Sequence, residues 1–147
     1  MKEEKLKNGK VTEGNTEFHY LKGKLHNANG PAIKHGDGAE EYYLYGKRHR
    51  EGDLPAIIEA DGTVYYFKHS KVHRESGPAV ILCGPADVQM WYKDNVNTRD
   101  DGPAVVKRKH TVVKWKLNGK EVPKEEVLDT PEKLKAYEVE VVMAHLL

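Results

Sequence analysis

The sequence holds a single cysteine, Cys83, which excludes a disulfide scaffold within one chain and a zinc site built on several thiolates. A reducing cytoplasm is the compartment this implies. An excess of either charge is also missing. There are 24 basic and 23 acidic residues and a formal net charge of +1, so the basic surplus of a protein that coats long nucleic acid is absent. No apolar run approaches the ~20 residues of a membrane span. The opening Met1-Lys2-Glu3-Glu4-Lys5 is too charged for a secretory signal. Serine is confined to Ser70 and Ser76, and no Gly-rich phosphate loop ending in Lys-Ser/Thr occurs. Hydrophobic residues reach only 38% against 32% charged, which implies a thin core. A flat or elongated sheet fits that composition, as does an oligomer that completes its core between subunits.

What is present is repetition. Gly30-Pro31-Ala32-Ile33 returns as Leu54-Pro55-Ala56-Ile57, Gly77-Pro78-Ala79-Val80 and Gly102-Pro103-Ala104-Val105, a period of about two dozen residues. Each copy is preceded by aromatics, a turn signal and a polar pair that is His-Arg in the second and third copies. The second repeat reads Tyr42-Tyr43-Leu44-Tyr45-Gly46-Lys47-Arg48-His49-Arg50. The third carries Tyr65-Tyr66-Phe67 and His73-Arg74, and the fourth carries Trp91-Tyr92 and Thr98-Arg99. The first has Asn27 in the arginine place, and a fifth, broken copy runs Trp115-Lys116-Leu117-Asn118-Gly119-Lys120.

The pattern predicts a mainly β fold: an antiparallel meander of repeated hairpins with a C-terminal helical cap, in one domain over 1–147. Aromatic runs favour strands. Gly46-Lys47 reads as a tight turn, and Asn118-Gly119 is the clearest such dipeptide. Proline cannot donate to a sheet ladder, so Pro31, Pro55, Pro78 and Pro103 should open strands, with the glycine before them allowing unusual backbone angles. The extra residue between His49 and Pro55 predicts a bulge. Residues 1–17 are expected to form an N-terminal cap or degenerate hairpin, and 18–120 the hairpin repeats. Residues 121–147 are expected to be a helical cap or oligomerisation segment. In that segment Thr130 is the expected N-cap, with Leu134, Tyr137 and Val141 at helical spacing; Val139–Val142 is the stretch that also suits a strand.

No catalytic constellation emerges. His26, His49 and His73 share one repeat position, but no acidic or cysteine ligand recurs with them, so neither metal nor cofactor is expected. Cys83 reads as a small packed hydrophobe and not as a nucleophile. Carboxylate pairs such as Glu40-Glu41 and Asp100-Asp101 read as solvated charge. The chain is therefore expected not to be an enzyme.

The recurrent His and Arg carry two readings. They tie neighbouring turns together, as recurrence in repeat proteins usually implies. Or they line a groove in which His49, Arg50, His73, Arg74 and Arg99 meet Tyr43, Tyr66, Trp91 and Tyr92. Guanidinium forks suit phosphate, and aromatic faces stack a base. Such a groove would take a small nucleotide-like anion.

The pattern Tyr-Leu-x-Gly-Lys-x-His-Arg-x-x-Gly-Pro-Ala, over about Phe18 to Lys120, resembles a repeat of bacteriophage and giant DNA virus proteins. It is also similar to MORN repeats in period, aromatic strands and Gly-rich turns, departing from them in Gly-Pro-Ala. The resemblance implies a small viral counter-defence protein in the host-cell cytoplasm, without a catalytic site. It suggests one like the phage sponges that sequester cyclic nucleotide signals of systems such as CBASS, often as homo-oligomers. The alternatives are a module that blocks a host protein and, behind it, a nucleotide-processing enzyme.

Overall fold

A computed structural model describes residues 5–146; the charged start Met1–Glu4 lies outside the described residues. The fold is mainly β, an antiparallel meander of short hairpins ending in a helical segment. The chain forms two compact units, 1–71 and 72–147.

In the first unit, Gly9–Glu13 pairs with Thr16–Leu21, the degenerate first hairpin, with Val11 opposite Phe18. The meander continues through Ile33–Lys34, Glu40–Glu41, Ile57–Ile58 and Val64–Tyr65, each antiparallel to the last. In the second unit the corresponding ladder is Val80–Leu82, Val88–Met90, Val105–Lys107 and Val112–Lys114. Side hairpins branch from these ladders: Tyr43–Leu44 with Lys47–Arg48, Tyr92–Lys93 with Val96–Asn97, and Lys116–Leu117 with Lys120–Glu121.

Each aromatic run breaks at one residue, where the chain leaves the main ladder for the side hairpin. The break falls at Tyr42, Tyr66, Trp91 and Trp115. Tyr42 N–H donates to Ala56 O, while Tyr42 O accepts from His49 N–H, so the residue serves both sides of the bend. Trp91 repeats this with Ala104 and Thr98.

The side-hairpin turns are two-residue turns in which both residues have positive φ. The pairs are Lys22-Gly23, Tyr45-Gly46, His69-Ser70, Asp94-Asn95 and Asn118-Gly119, with φ between 44° and 81°. This is the turn whose twist matches that of the flanking strands. It lies one residue earlier than the sequence suggests in the second repeat: Tyr45-Gly46 forms the turn, and Lys47 already belongs to the returning strand.

The Gly-Pro-Ala motif has a packing logic. Ala32, Ala56, Ala79 and Ala104 are fully buried, and each donates its N–H to the neighbouring strand. Overfilling a packed interior costs stability, so a small side chain suits these positions. The prolines precede the strands, as a missing donor requires. The glycines before them are not in the positive-φ region. Their role is spatial: a Cβ on Gly77 would stand 3.1 Å from Arg74 Nη1, and one on Gly102 would overlap the Arg99 guanidinium. The extra residue of the second repeat makes no bulge. It lengthens the loop before Pro55, where Gly52 has φ 76° and Leu54 is exposed. Cys83 is exposed, because the strand Val80–Leu82 ends before it.

At the C-terminus, α1 spans Lys124–Val127 and α2 spans Pro131–Leu146. Thr130 caps α2, its Oγ1 accepting from Lys133 N–H at 3.2 Å. Val139–Val142 is helical. Val127 and Tyr137 are buried, so the segment caps the second unit. The Tyr137 ring stands edge-on to Trp115, with centroids 5.1 Å apart, and against His110 at 5.8 Å.

Candidate functional site

The side chains at the His-Arg positions hydrogen-bond to turns and loops of the repeats. In both units the N–H of the first turn residue donates to a side chain one repeat earlier. Tyr45 N–H donates to His26 Nδ1 at 3.0 Å, His69 N–H to His49 Nδ1 at 3.1 Å, and Asp94 N–H to His73 Nδ1 at 3.1 Å. Thr98 Oγ1 takes over this role for Asn118 N–H at 3.0 Å, and Asn8 Oδ1 takes it for Lys22 N–H at 2.7 Å. The second turn residue donates alongside, to the carbonyl just before the acceptor: Gly46 to Leu25, Ser70 to Arg48, Asn95 to Val72 and Gly119 to Asn97. Thr98 therefore preserves the pattern that its sequence identity hides.

The next position bonds within its own repeat. Arg50, Arg74 and Arg99 each donate through Nη1 to the carbonyl of their own repeat's proline, at 3.1 to 3.4 Å. Asn27 Nδ2 does so to Pro31 O at 3.0 Å. Arg50 stacks on Tyr42, 3.8 Å from the ring centroid, and Arg99 stacks on Trp91 at 4.0 Å. Among the site candidates, Tyr43, His49, Arg50 and Tyr66 belong to the first unit; His73, Arg74, Trp91, Tyr92 and Arg99 belong to the second.

The first unit holds a cleft of ≈ 330 Å³, lined by Asn27, Tyr42, His49, Arg50 and Glu51 among others; Tyr43 is not part of its wall. Tyr43 instead donates its hydroxyl to Glu41, and burial foremost raises its pKa, with the Glu41 charge adding to it.

The second unit holds a larger cleft of ≈ 990 Å³ bounded by α2 and the repeat loops. Of the expected residues, Trp91 and Arg99 line it; His73, Arg74 and Tyr92 do not. Glu140, on α2, takes two hydrogen bonds from Arg99, at 3.2 and 2.5 Å, and one from His110 Nε2 at 2.9 Å. Arg99 Nε also donates to Asp101 at 2.8 Å. Desolvation alone would raise the Glu140 pKa. The bonds and charge of Arg99, then those of His110, outweigh it, and the carboxyl lies below its ordinary value. His110 reaches this place because Arg108, Lys109 and His110 run through the left-handed region, at φ 49°, 50° and 71°. The cleft wall carries four carboxylates, Glu75, Asp100, Asp101 and Glu140, against the two cations Lys93 and Arg99. Lys93 is itself paired with Glu75 at 2.7 Å, and that pair, with His73 beside it, brings Glu75 down to about 2.

Sequence reasoning missed Glu140, His110 and Tyr137 as a cluster. His110 sits in a turn between two repeat strands and Tyr137 and Glu140 on the C-terminal helix, so the only signal was the helical spacing of the last two. Among the described residues no group of three or more His, Cys, Asp or Glu stands ready to hold a metal ion, and no helix is long and apolar enough to cross a membrane. Compared with protein-family models, curated proteins and solved structures, the chain matches none.

Proposed function

We propose that the protein is a non-enzymatic interaction module: the repeats build a scaffold, and α2 presents the surface that binds another protein. One observation carries this reading. Opposite buried Tyr137, the helix exposes Val139, Val142 and Leu146, each more than half accessible, and Met143, half accessible, stands between this face and the cleft wall. These residues follow i, i+3, i+4, i+7 spacing, the signature of a second apolar stripe. Apolar side chains on an outer helix face stand in water without compensation and mark contact sites when they cluster. The recurrent His and Arg side chains, bound to turns and carbonyls, support the scaffold role and leave binding to the helix.

The test uses a hydrophobic dye such as bis-ANS at sub-micromolar protein. Val142→Glu with Leu146→Glu should remove most of the dye fluorescence while the far-ultraviolet circular dichroism stays unchanged. Undiminished fluorescence would reject the open helix face.

Sequestration of a cyclic nucleotide is the second reading, supported by the volume of the cleft beside Trp91. Its carboxylate excess and the engagement of Arg99 by Glu140 and Asp101 oppose an anion. Calorimetry with cyclic di- and trinucleotides decides it: heat with intact ligand recovered supports sequestration, a converted product indicates an enzyme, and no heat removes the reading.

A further inference from the structure

We infer that the partner of the outer α2 face is a second copy of the same chain, joined as an antiparallel helix pair. The inference rests on the reading of that face as a protein-binding surface and names its occupant.

Charges around the stripe set how two copies can meet. Continuing its heptad spacing toward the helix start brings Lys135 and Glu132 onto the contact line. A parallel pair would set each residue beside its own copy, Lys135 against Lys135 and Glu132 against Glu132, two like-charge contacts. An antiparallel pair removes both. With Val139 level with Val142 of the other copy, Lys135 lies level with the other Leu146, along which its stem can pack. On one flank, Met143 then covers Ala136 of the other copy. On the other flank, Glu138 comes within side-chain reach of the other His145, two residues off level, or ~3 Å along the axis. His145 Nδ1 is engaged by Val141 O at 2.8 Å, so its Nε2 is the atom that faces outward. Every contact occurs twice, as a twofold interface requires. Apolar meets apolar in the centre and on one flank, and a carboxylate meets an imidazole on the other.

The patch is small. One helix face of four side chains falls well short of the ~800 Å² per partner of a standard interface, so the dimer should dissociate in the micromolar range and not persist at high dilution.

Sedimentation of the full chain across a concentration series tests the pairing. Wild type should pass from monomer to dimer, and Val142→Glu should remain monomeric with unchanged circular dichroism. His145→Glu, which places carboxylate against carboxylate, should weaken the dimer at least several-fold. Adding Glu138→Lys to it should restore association. Failure of that restoration overturns the antiparallel register, and dimerisation of Val142→Glu overturns the face.

Labelling Val142→Cys with a maleimide, in a Cys83→Ser background, separates this inference from the reading beneath it. A labelling rate that falls as protein concentration rises supports the pair. A monomer that labels fast at every concentration overturns self-pairing and leaves an open face for another protein. A monomer that labels slowly at every concentration overturns both.

Discussion

Glu140→Gln isolates the contact that fixes α2 to the second unit. The substitution keeps the shape of the side chain and removes its charge. Arg99, with its side chain 8% exposed, loses two charge-assisted bonds and keeps Asp101 and the Pro103 carbonyl. Breaking a fully buried ion pair costs about 3–5 kcal/mol. Glu140 is 34% exposed and Arg99 retains one carboxylate, so solvent screening brings the expected loss to about 2 kcal/mol. For a cooperative unit of this size that corresponds to a fall in Tm of roughly 8–16 °C. Tryptophan fluorescence is the assay, because Trp91 and Trp115, the two tryptophans, both lie in the second unit. The effect has a defined pH sense. The Glu140 pKa is lowered on folding, so its contribution is complete above the ordinary value of 4.5 and is lost as pH falls through the depressed one. The gap between wild type and Glu140→Gln should therefore be full at pH 7 and close under acid. A Tm change below about 3 °C at pH 7, or a gap that persists undiminished at pH 2, would refute the assignment.

Other substitutions probe the repeat logic. His73→Ala removes the acceptor for Asp94 N–H and should cost about 1 kcal/mol in urea unfolding. His73→Thr, which copies the residue found at Thr98, should recover part of it, and equal losses for Ala and Thr would contradict the shared role. Ser70→Gly relieves a non-glycine residue at φ 66° and should stabilise by about 1 kcal/mol in calorimetry; a destabilised variant would count against the turn assignment. Gly102→Ala should cost about 1–3 kcal/mol because the new Cβ meets the pinned Arg99, whereas Gly30→Ala, with Asn27 Nδ2 at 3.5 Å, should change little. If the two alanines behave alike, the glycines are not there to make room. By nuclear magnetic resonance, Glu75 should titrate near 2, and Lys93→Ala should raise that value toward 4.5; no movement would mean that Lys93 does not hold the carboxylate.

Much of the architecture was written locally. Aromatic strand residues, turn dipeptides such as Asn118-Gly119 and the strand-opening prolines each act through a few neighbouring atoms, so the period of the meander could be read from one pass along the chain. Thr130 and the spacing of Tyr137 and Val141 placed α2 in the same way. The site was less legible. The same His-Arg text suits a ligand groove and a set of struts, because a side chain's identity states what it can bond, not what stands beside it.

Sequence by itself therefore determined the hairpin repeat, the strand-opening prolines and the helical end, since backbone preference is a property of single residues and short runs. Tertiary structure decided the rest. It paired Thr98 with Asn118 as His49 is paired with His69, turned glycine from a flexible joint into space for a guanidinium, and brought Glu140 to Arg99 across 41 positions. Those outcomes depend on distances between residues far apart along the chain, which only folding sets.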